Sequence, residues 1–236
     1  MSIKFVLFDL DGTLLPMDQD IFAKYYFGTL ASRLSPLGYE KEALIKSIWA
    51  GTAAMVCNDG QKTNEEAFWD KFTSIWGEGA RSHLPEFEAY YEEDFPQVKA
   101  SCGFDPTAAE AVKAIKAMGL CTALATNPIF PEIATRQRIA WAGLSPDDFE
   151  LFTTYENSCH CKPNLKYYQD VLEKLGAKPE ECLMVGNDVG EDMIAKELGM
   201  KVFLIPKHLI NKEGLDISVY PQGDFAALIN YVKENI

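Results

Sequence analysis

Apolar and polar positions change character twice along this chain, and each stretch predicts a different kind of element. Ile3 to Phe8 is apolar apart from Lys4, the pattern of a strand buried on both faces of a parallel sheet. From about Asp18 to Phe95, apolar residues recur at helical spacing with many aromatics among them. This predicts helices over Gln19 to Leu34, Lys41 to Trp49, Asn64 to Trp76 and Pro85 to Asp94. Thr63 with Glu66 fits a capping box, Gly77 a helix stop and Pro85 a first helical position. Gly51 to Lys62, with its Asn58-Asp59-Gly60 turn, reads as a loop. It is either an ordinary connector or a substrate-selecting segment.

From Ser101 onward strands and helices alternate. A helix opening at Asp105-Pro106 and closing at Gly119 precedes a strand over Leu120 to Ala125. A helix over Pro128 to Trp141, a short strand near Leu151 to Thr153 and a helix over Leu165 to Leu175 follow. The chain then gives a strand over Cys182 to Val185, a helix over Glu191 to Leu198, a strand over Lys201 to Ile205 and a helix over Asp224 to Val232. Such alternation predicts an α/β fold, a parallel sheet with helices on both faces. Residues 1–16 and 100–236 are read as this core, and residues 17–99 as an inserted all-helical domain.

Charge narrows the partners. With 22 Lys+Arg against 35 Asp+Glu the net charge is −13, which argues against broad contact with nucleic acid or anionic membranes. An anionic small molecule then needs local positive charge, from a metal ion and one or two placed lysines. The six cysteines are scattered, and Cys121 and Cys182 fall inside apolar strands, so reduced thiols in the cytoplasm are expected. No signal peptide or membrane span is expected, since Asp9 interrupts the apolar run at the amino end. The sequence assigns no oligomeric state.

Four short stretches carry chemistry. Phe8-Asp9-Leu10-Asp11-Gly12-Thr13-Leu14 places two carboxylates and a glycine turn at the carboxyl end of the first strand, where open α/β sheets bind ligands. Thr126-Asn127, after the second strand and before Pro128, offers a hydroxyl, an amide and helix-start N–H groups to phosphate oxygens. Lys162-Pro163-Asn164 holds an ammonium just before a helix. In Val185-Gly186-Asn187-Asp188-Val189-Gly190-Glu191-Asp192, carboxylates follow a third strand and face Asp9, an oxygen-rich set suited to Mg²⁺. The bland alternatives are solvated turn acids, a Thr-Asn-Pro cap, a surface lysine and acids stabilised by a helix dipole.

Together these motifs, in this order and each after a strand, resemble the haloacid dehalogenase-like hydrolase superfamily, with FDLDGTL as the specific element. The resemblance spans almost the whole chain and implies a Rossmann-like core with a helical cap inserted after the first motif. It implies a Mg²⁺-dependent phosphatase acting on a small phosphorylated metabolite. Asp9 would be the nucleophile that forms an aspartyl-phosphate, and Asp11 the general acid and then base. Thr126 and Asn127 would bind phosphoryl oxygens, and Lys162 would steady Asp9 and the phosphoryl group. Asp9, the carbonyl of Asp11 and Asp188 would hold the metal, with Asp192 binding directly or through water. Many relatives have Gly-Asp where this chain has Gly186-Asn187, so Asn187 competes with Asp188 for the metal position.

Other readings are a phosphomutase on the same core and a non-catalytic module that binds a phosphate ligand. The joint presence of Asp9, Asp11, Lys162 and Asp188 argues against the module. Asp11 argues against the dehalogenating relatives, which usually lack a carboxylate there. Lys24 is the nearest candidate for a Schiff-base lysine, and its aromatic neighbours read as packing residues. Cys159-His160-Cys161 lacks the second ligand pair of a structural zinc site; His83 and His208 stand alone. Met17, Tyr25, Trp49, Met55 and Asn58 are the expected substrate-facing residues of the cap.

Overall fold

The computed structural model describes residues 2–236. Four strands, β1 (Phe5–Phe8), β2 (Cys121–Leu124), β3 (Cys182–Gly186) and β4 (Lys201–Leu204), form one parallel sheet in the order β2-β1-β3-β4. Phe5 stands opposite Cys121 on one side and Cys182 on the other, so β1 is central and Asp9 leaves it between two strand ends. Alternate residues of β1 serve opposite faces: Val6 and Phe8 join one buried cluster, Leu7 the other.

Helices α5 (Pro106–Ala117) and α8 (Phe225–Asn235) cover the first face through Ala111, Ile115, Leu228 and Val232. Helix α7 (Leu165–Leu175) and the 3₁₀ segment Met193–Leu198 cover the second through Tyr168, Val171 and Met193. The fold class is therefore the expected one. Helix α6 (Glu132–Trp141) starts four residues later than expected, because Pro131 takes the N-cap position and Pro128 lies in an irregular turn outside the helix. The strand expected near Leu151 to Thr153 is a single parallel bridge, Leu124 to Phe152. The segment after Asp192 forms a 3₁₀ run rather than the expected α-helix.

Four helices lie between β1 and α5: α1 (Gln19–Leu34), α2 (Lys41–Val56), α3 (Asn64–Trp76) and α4 (Leu84–Glu93). Thr63 and Glu66 form the reciprocal capping box at α3. Helix α2 runs seven residues beyond its expected end and passes through Gly51. A Cβ there would lie 2.4 Å from the Phe68 ring, so Gly51 is a close-packing position between α2 and α3 and not a helix stop.

These helices share their buried cluster with the sheet. The ring of Phe22 on α1 meets Phe95 at 6.3 Å and Phe130 of the α/β part at 6.0 Å. The connector before α3 is pinned as well. Asn64, fully buried, donates from Nδ2 to the carbonyls of Pro128 (3.1 Å) and His160 (3.4 Å), and its Oδ1 accepts from Asn58 Nδ2 at 2.9 Å. The Asn58-Asp59-Gly60 turn is thus a docking connector, with Asn58 turned away from the cavity described below.

Candidate active site

The β1 strand ends in a turn that aims two carboxylates. Leu15 N–H donates to Leu10 O at 2.8 Å and Gly12 N–H to Leu15 O at 2.8 Å, with Gly12 at φ +89°. A side chain at Gly12 would be strained, and its Cβ would stand 2.4 Å from Asn187 Nδ2. Thr13 Oγ1 lies 3.0 Å from Asp9 Oδ2 and 2.8 Å from Asn187 Oδ1. Its single hydrogen serves one of the two at a time.

Asp9 is 7% exposed. Its Oδ1 accepts from Lys162 Nζ at 3.0 Å, and the same ammonium donates to Asp192 Oδ1 at 2.7 Å. Lys162 is buried, and although burial works against its charge, Asp192 and Asp9 hold its pKa well above the ordinary lysine value. Burial also pushes Asp192 up to about 7, against the pull of Lys162. Its second oxygen accepts Asp188 N–H at 3.0 Å, so both oxygens of Asp192 are committed to the protein.

Asp188 accepts Gly190 and Glu191 N–H with Oδ1, at 2.8 and 3.0 Å, and among the described residues its Oδ2 has no hydrogen-bond partner. Asn187 is engaged at both ends, accepting from Thr13 and donating from Nδ2 to His208 O at 2.6 Å. Among the described residues Asp188 Oδ2 is thus free of protein partners, while both side-chain polar atoms of Asn187 are engaged.

Thr126 and Asn127 follow β2. The Thr126 carbonyl is held by Thr153 Oγ1 (2.6 Å) and Tyr167 Oη (2.8 Å). Asn127 Nδ2 donates to Glu191 Oε2 at 3.0 Å, while its buried Oδ1 has no partner. Because α6 begins at Glu132, the expected helix-start N–H groups do not stand beside Thr126 and Asn127. Burial, ahead of every other influence, raises Glu191 above the usual carboxylate range.

One participant went unread in the sequence. Arg138 on α6, buried throughout its side chain, forms an ion pair with Asp11 Oδ2. It also donates to Thr135 Oγ1 at 3.3 Å and lies 4.5 Å over the Phe130 ring. Asp11 Oδ1 is buried without a partner. Burial raises the Asp11 pKa, Arg138 opposes that rise and Asp9 adds to it. The one sequence signal for Arg138 is its spacing: it shares the buried side of α6 with Ala134, Thr135 and Trp141.

A cavity of about 790 Å³ joins these groups to the helices above. Asp9, Asp11, Thr126, Asn127, Asp188 and Asp192 lie on its wall, as do Met17 and Trp49. Three expected substrate-facing residues do not: Tyr25, Met55 and Asn58 are absent from the wall, Met55 and Asn58 being buried in packing. Lys24 is exposed and off the wall, which removes the buried amine a Schiff base needs. His160 binds Asp170 at 2.7 Å and Cys161 accepts from Asn64. Among the described residues no three Cys, His, Asp or Glu side chains gather as a metal cage, and all six cysteines are unpaired.

A family model described as haloacid dehalogenase-like hydrolase matches residues 3–198. The phosphoglycolate phosphatase of Aquifex aeolicus (strain VF5) is 26% identical over 205 residues, covering 86% of this chain and 84% of the relative. Pyrophosphatase PpaX of Bacillus cereus (strain G9842) is 28% identical over 204 residues, covering 85% and 82%. Among solved structures, a HAD phosphatase from Thermococcus onnurineus is similar over 98% of both chains, with a TM-score of 0.60 at 20% identity. The family match runs from β1 to Leu198 and so takes in Asp9, Asp11, Thr126, Arg138, Lys162 and Asp188: the chain belongs to the haloacid dehalogenase-like hydrolases.

Proposed function

We propose that this phosphatase hydrolyses a small phosphate monoester in two steps through Asp9. The observation that carries the reading is the convergence of Asp9, Asp11 and Asp188 on the wall of one cavity at the carboxyl ends of β1 and β3, with Lys162, buried and off that wall, bonded to Asp9. The donor set fits Mg²⁺, which is held by one or two carboxylates plus substrate phosphate and water and not by a protein cage. Asp9 and the free Oδ2 of Asp188 would hold it, with the carbonyl of Asp11. Bound there, the ion supplies positive charge against the phosphoryl oxygens. Asp192, its oxygens taken by Lys162 and Asp188 N–H, serves this reading as the brace of Lys162 and not as a direct ligand.

The chain's own groups do the rest. Lys162 fixes the Asp9 carboxylate, and the ammonium offsets the charge of the arriving phosphoryl group. Thr126 and the Asn127 amide, turned from Glu191, bind phosphoryl oxygens. A carboxylate oxygen of Asp9 attacks phosphorus, the bond to the leaving oxygen breaks, and a proton from Asp11 goes to that oxygen. Asp11 then takes a proton from water as it attacks phosphorus, the bond to Asp9 breaks, and phosphate leaves with Asp9 regenerated. Burial of Asp11 favours its protonated form, while Arg138 holds the group in place.

The test is phosphate release from a panel of monoesters. Chelator abolishes release and added Mg²⁺ restores it, and Asp9→Asn lowers kcat by about three orders of magnitude or more. Release that survives both treatments rejects the reading, and transfer of phosphate between two positions of one organic product identifies a mutase.

A further inference from the structure

The wall of the cavity opposite the strand ends comes from α1 to α4, and its charge has one sign. Glu65, Glu88 and Glu92 line it, and among the described residues no lysine, arginine or histidine of these helices does. Among the described residues these three carboxylates enter no ion pair. Glu156, on the adjoining wall, accepts Glu132 N–H with both oxygens and is likewise without a cation. Burial, and then the nearness of Glu156, Glu66 and Glu88, raises Glu65 above the usual carboxylate range, with the more distant pull of Arg81 too weak to reverse it. Two basic side chains line the cavity elsewhere. Arg136 is bound to Glu132 at 2.6 Å and lies over the Phe152 ring, and Lys212 is exposed.

Aromatic rings dominate the rest of that wall, beside Ile48, Thr52, Val56 and Leu84. Phe27 and Trp49 pair at 5.5 Å between ring centroids, and Trp69, Phe87 and Tyr91 stand with them on the lining. Ring faces carry negative charge density, and beside unneutralised carboxylates they form a surface that attracts an organic cation and repels an anion. A second anionic group on the substrate, such as the carboxylate of phosphoglycolate, meets like charge here. A cavity of about 790 Å³ also exceeds the needs of a two-carbon acid.

We propose that the substrate is a phosphate monoester whose leaving group carries a positively charged nitrogen on an apolar or aromatic frame, seated between these rings and the carboxylates of Glu65 and Glu88. The inference deepens the hydrolase reading above and rests on it.

The experiment compares kcat/KM, with Mg²⁺, for three esters: 2-(trimethylammonio)ethyl phosphate, its neutral isostere 3,3-dimethylbutyl phosphate, and phosphoglycolate. The cationic ester is expected to exceed its isostere by about tenfold, the scale of one desolvated cation–π contact with its carboxylate neighbours, with phosphoglycolate the poorest. In the Glu65→Gln/Glu88→Gln variant the cation-to-isostere ratio falls toward one; being a ratio within one protein, it is insensitive to a general loss of activity. Equal or better turnover of the neutral or anionic ester overturns the inference and leaves the phosphatase reading standing. Absence of release from all three and from an aryl phosphate overturns the phosphatase reading instead. Calorimetric binding of the same esters to Asp9→Asn then decides the inference separately, and binding no tighter for the cation than for its isostere rejects it.

Discussion

Arg138 shows how a single residue can hold a site carboxylate from outside the motif that names it. It is buried, it forms an ion pair with Asp11, and it is held by Thr135 and the Phe130 ring. If Asp11 protonates the leaving oxygen, its placement matters most where the leaving group is poor. Arg138→Lys is therefore expected to cut kcat by about a hundredfold for an alkyl phosphate, and far less for a nitrophenyl phosphate. The KM for both should change little. Equal loss on both substrates would make Arg138 a purely structural residue. Arg138→Met, which leaves Asp11 without its partner, is expected to lose about 3 kcal/mol of stability in denaturant unfolding.

Among the elements, the start of α3 does the joining. Asn64 N–H donates to Ser158 O and Glu65 N–H to Tyr155 O, and Asn64 Nδ2 reaches Pro128 O and His160 O. The first turn of α3 thus satisfies carbonyls of the segments that follow β2. Asn64→Ala takes the amide donor from the Pro128 and His160 carbonyls and one of two acceptors from Asn58 Nδ2, at an expected cost of about 2 kcal/mol, read as a lower denaturant midpoint with unchanged slope. An unchanged midpoint would show that water replaces the amide. The capping box at Thr63 and Glu66 was legible in sequence because it is local, three residues apart. The partners of Asn64 lie 64 and 96 residues away, and no local pattern carries them. Gly51 misled for the same reason: its meaning is set by Phe68 on the neighbouring helix.

The whole molecule carries a net charge of −13, and the cavity concentrates part of it at Glu65, Glu88 and Glu156. Glu65 has a raised pKa in the folded chain. Between the ordinary value of about 4.3 and that raised value, the folded state binds more protons than the unfolded one. Glu65 thus detracts from stability as pH rises through this window. Glu65→Gln is expected to match the native Tm in acid and exceed it at neutral pH, a difference that thermal unfolding across pH 3 to 8 would reveal. A lower Tm at neutral pH would mean that the carboxylate is neutralised in the fold. A residue that costs stability on a cavity wall and selects the ligand there is a familiar trade.

By itself the sequence determined the order of the four strands and the main helices, the α/β class, the family resemblance and the catalytic candidates Asp9, Asp11, Lys162 and Asp188. Each of these rests on short-range periodicity or on a motif of contiguous residues. Tertiary structure decided the rest. It committed both oxygens of Asp192, engaged Asn187 and left Asp188 an open oxygen. It also brought Arg138 to Asp11 across 127 residues and placed Trp49 on the cavity wall while turning Asn58 away. Which polar atom keeps a free valence depends on every neighbour that competes for it, and those neighbours are set by packing between elements far apart in the chain.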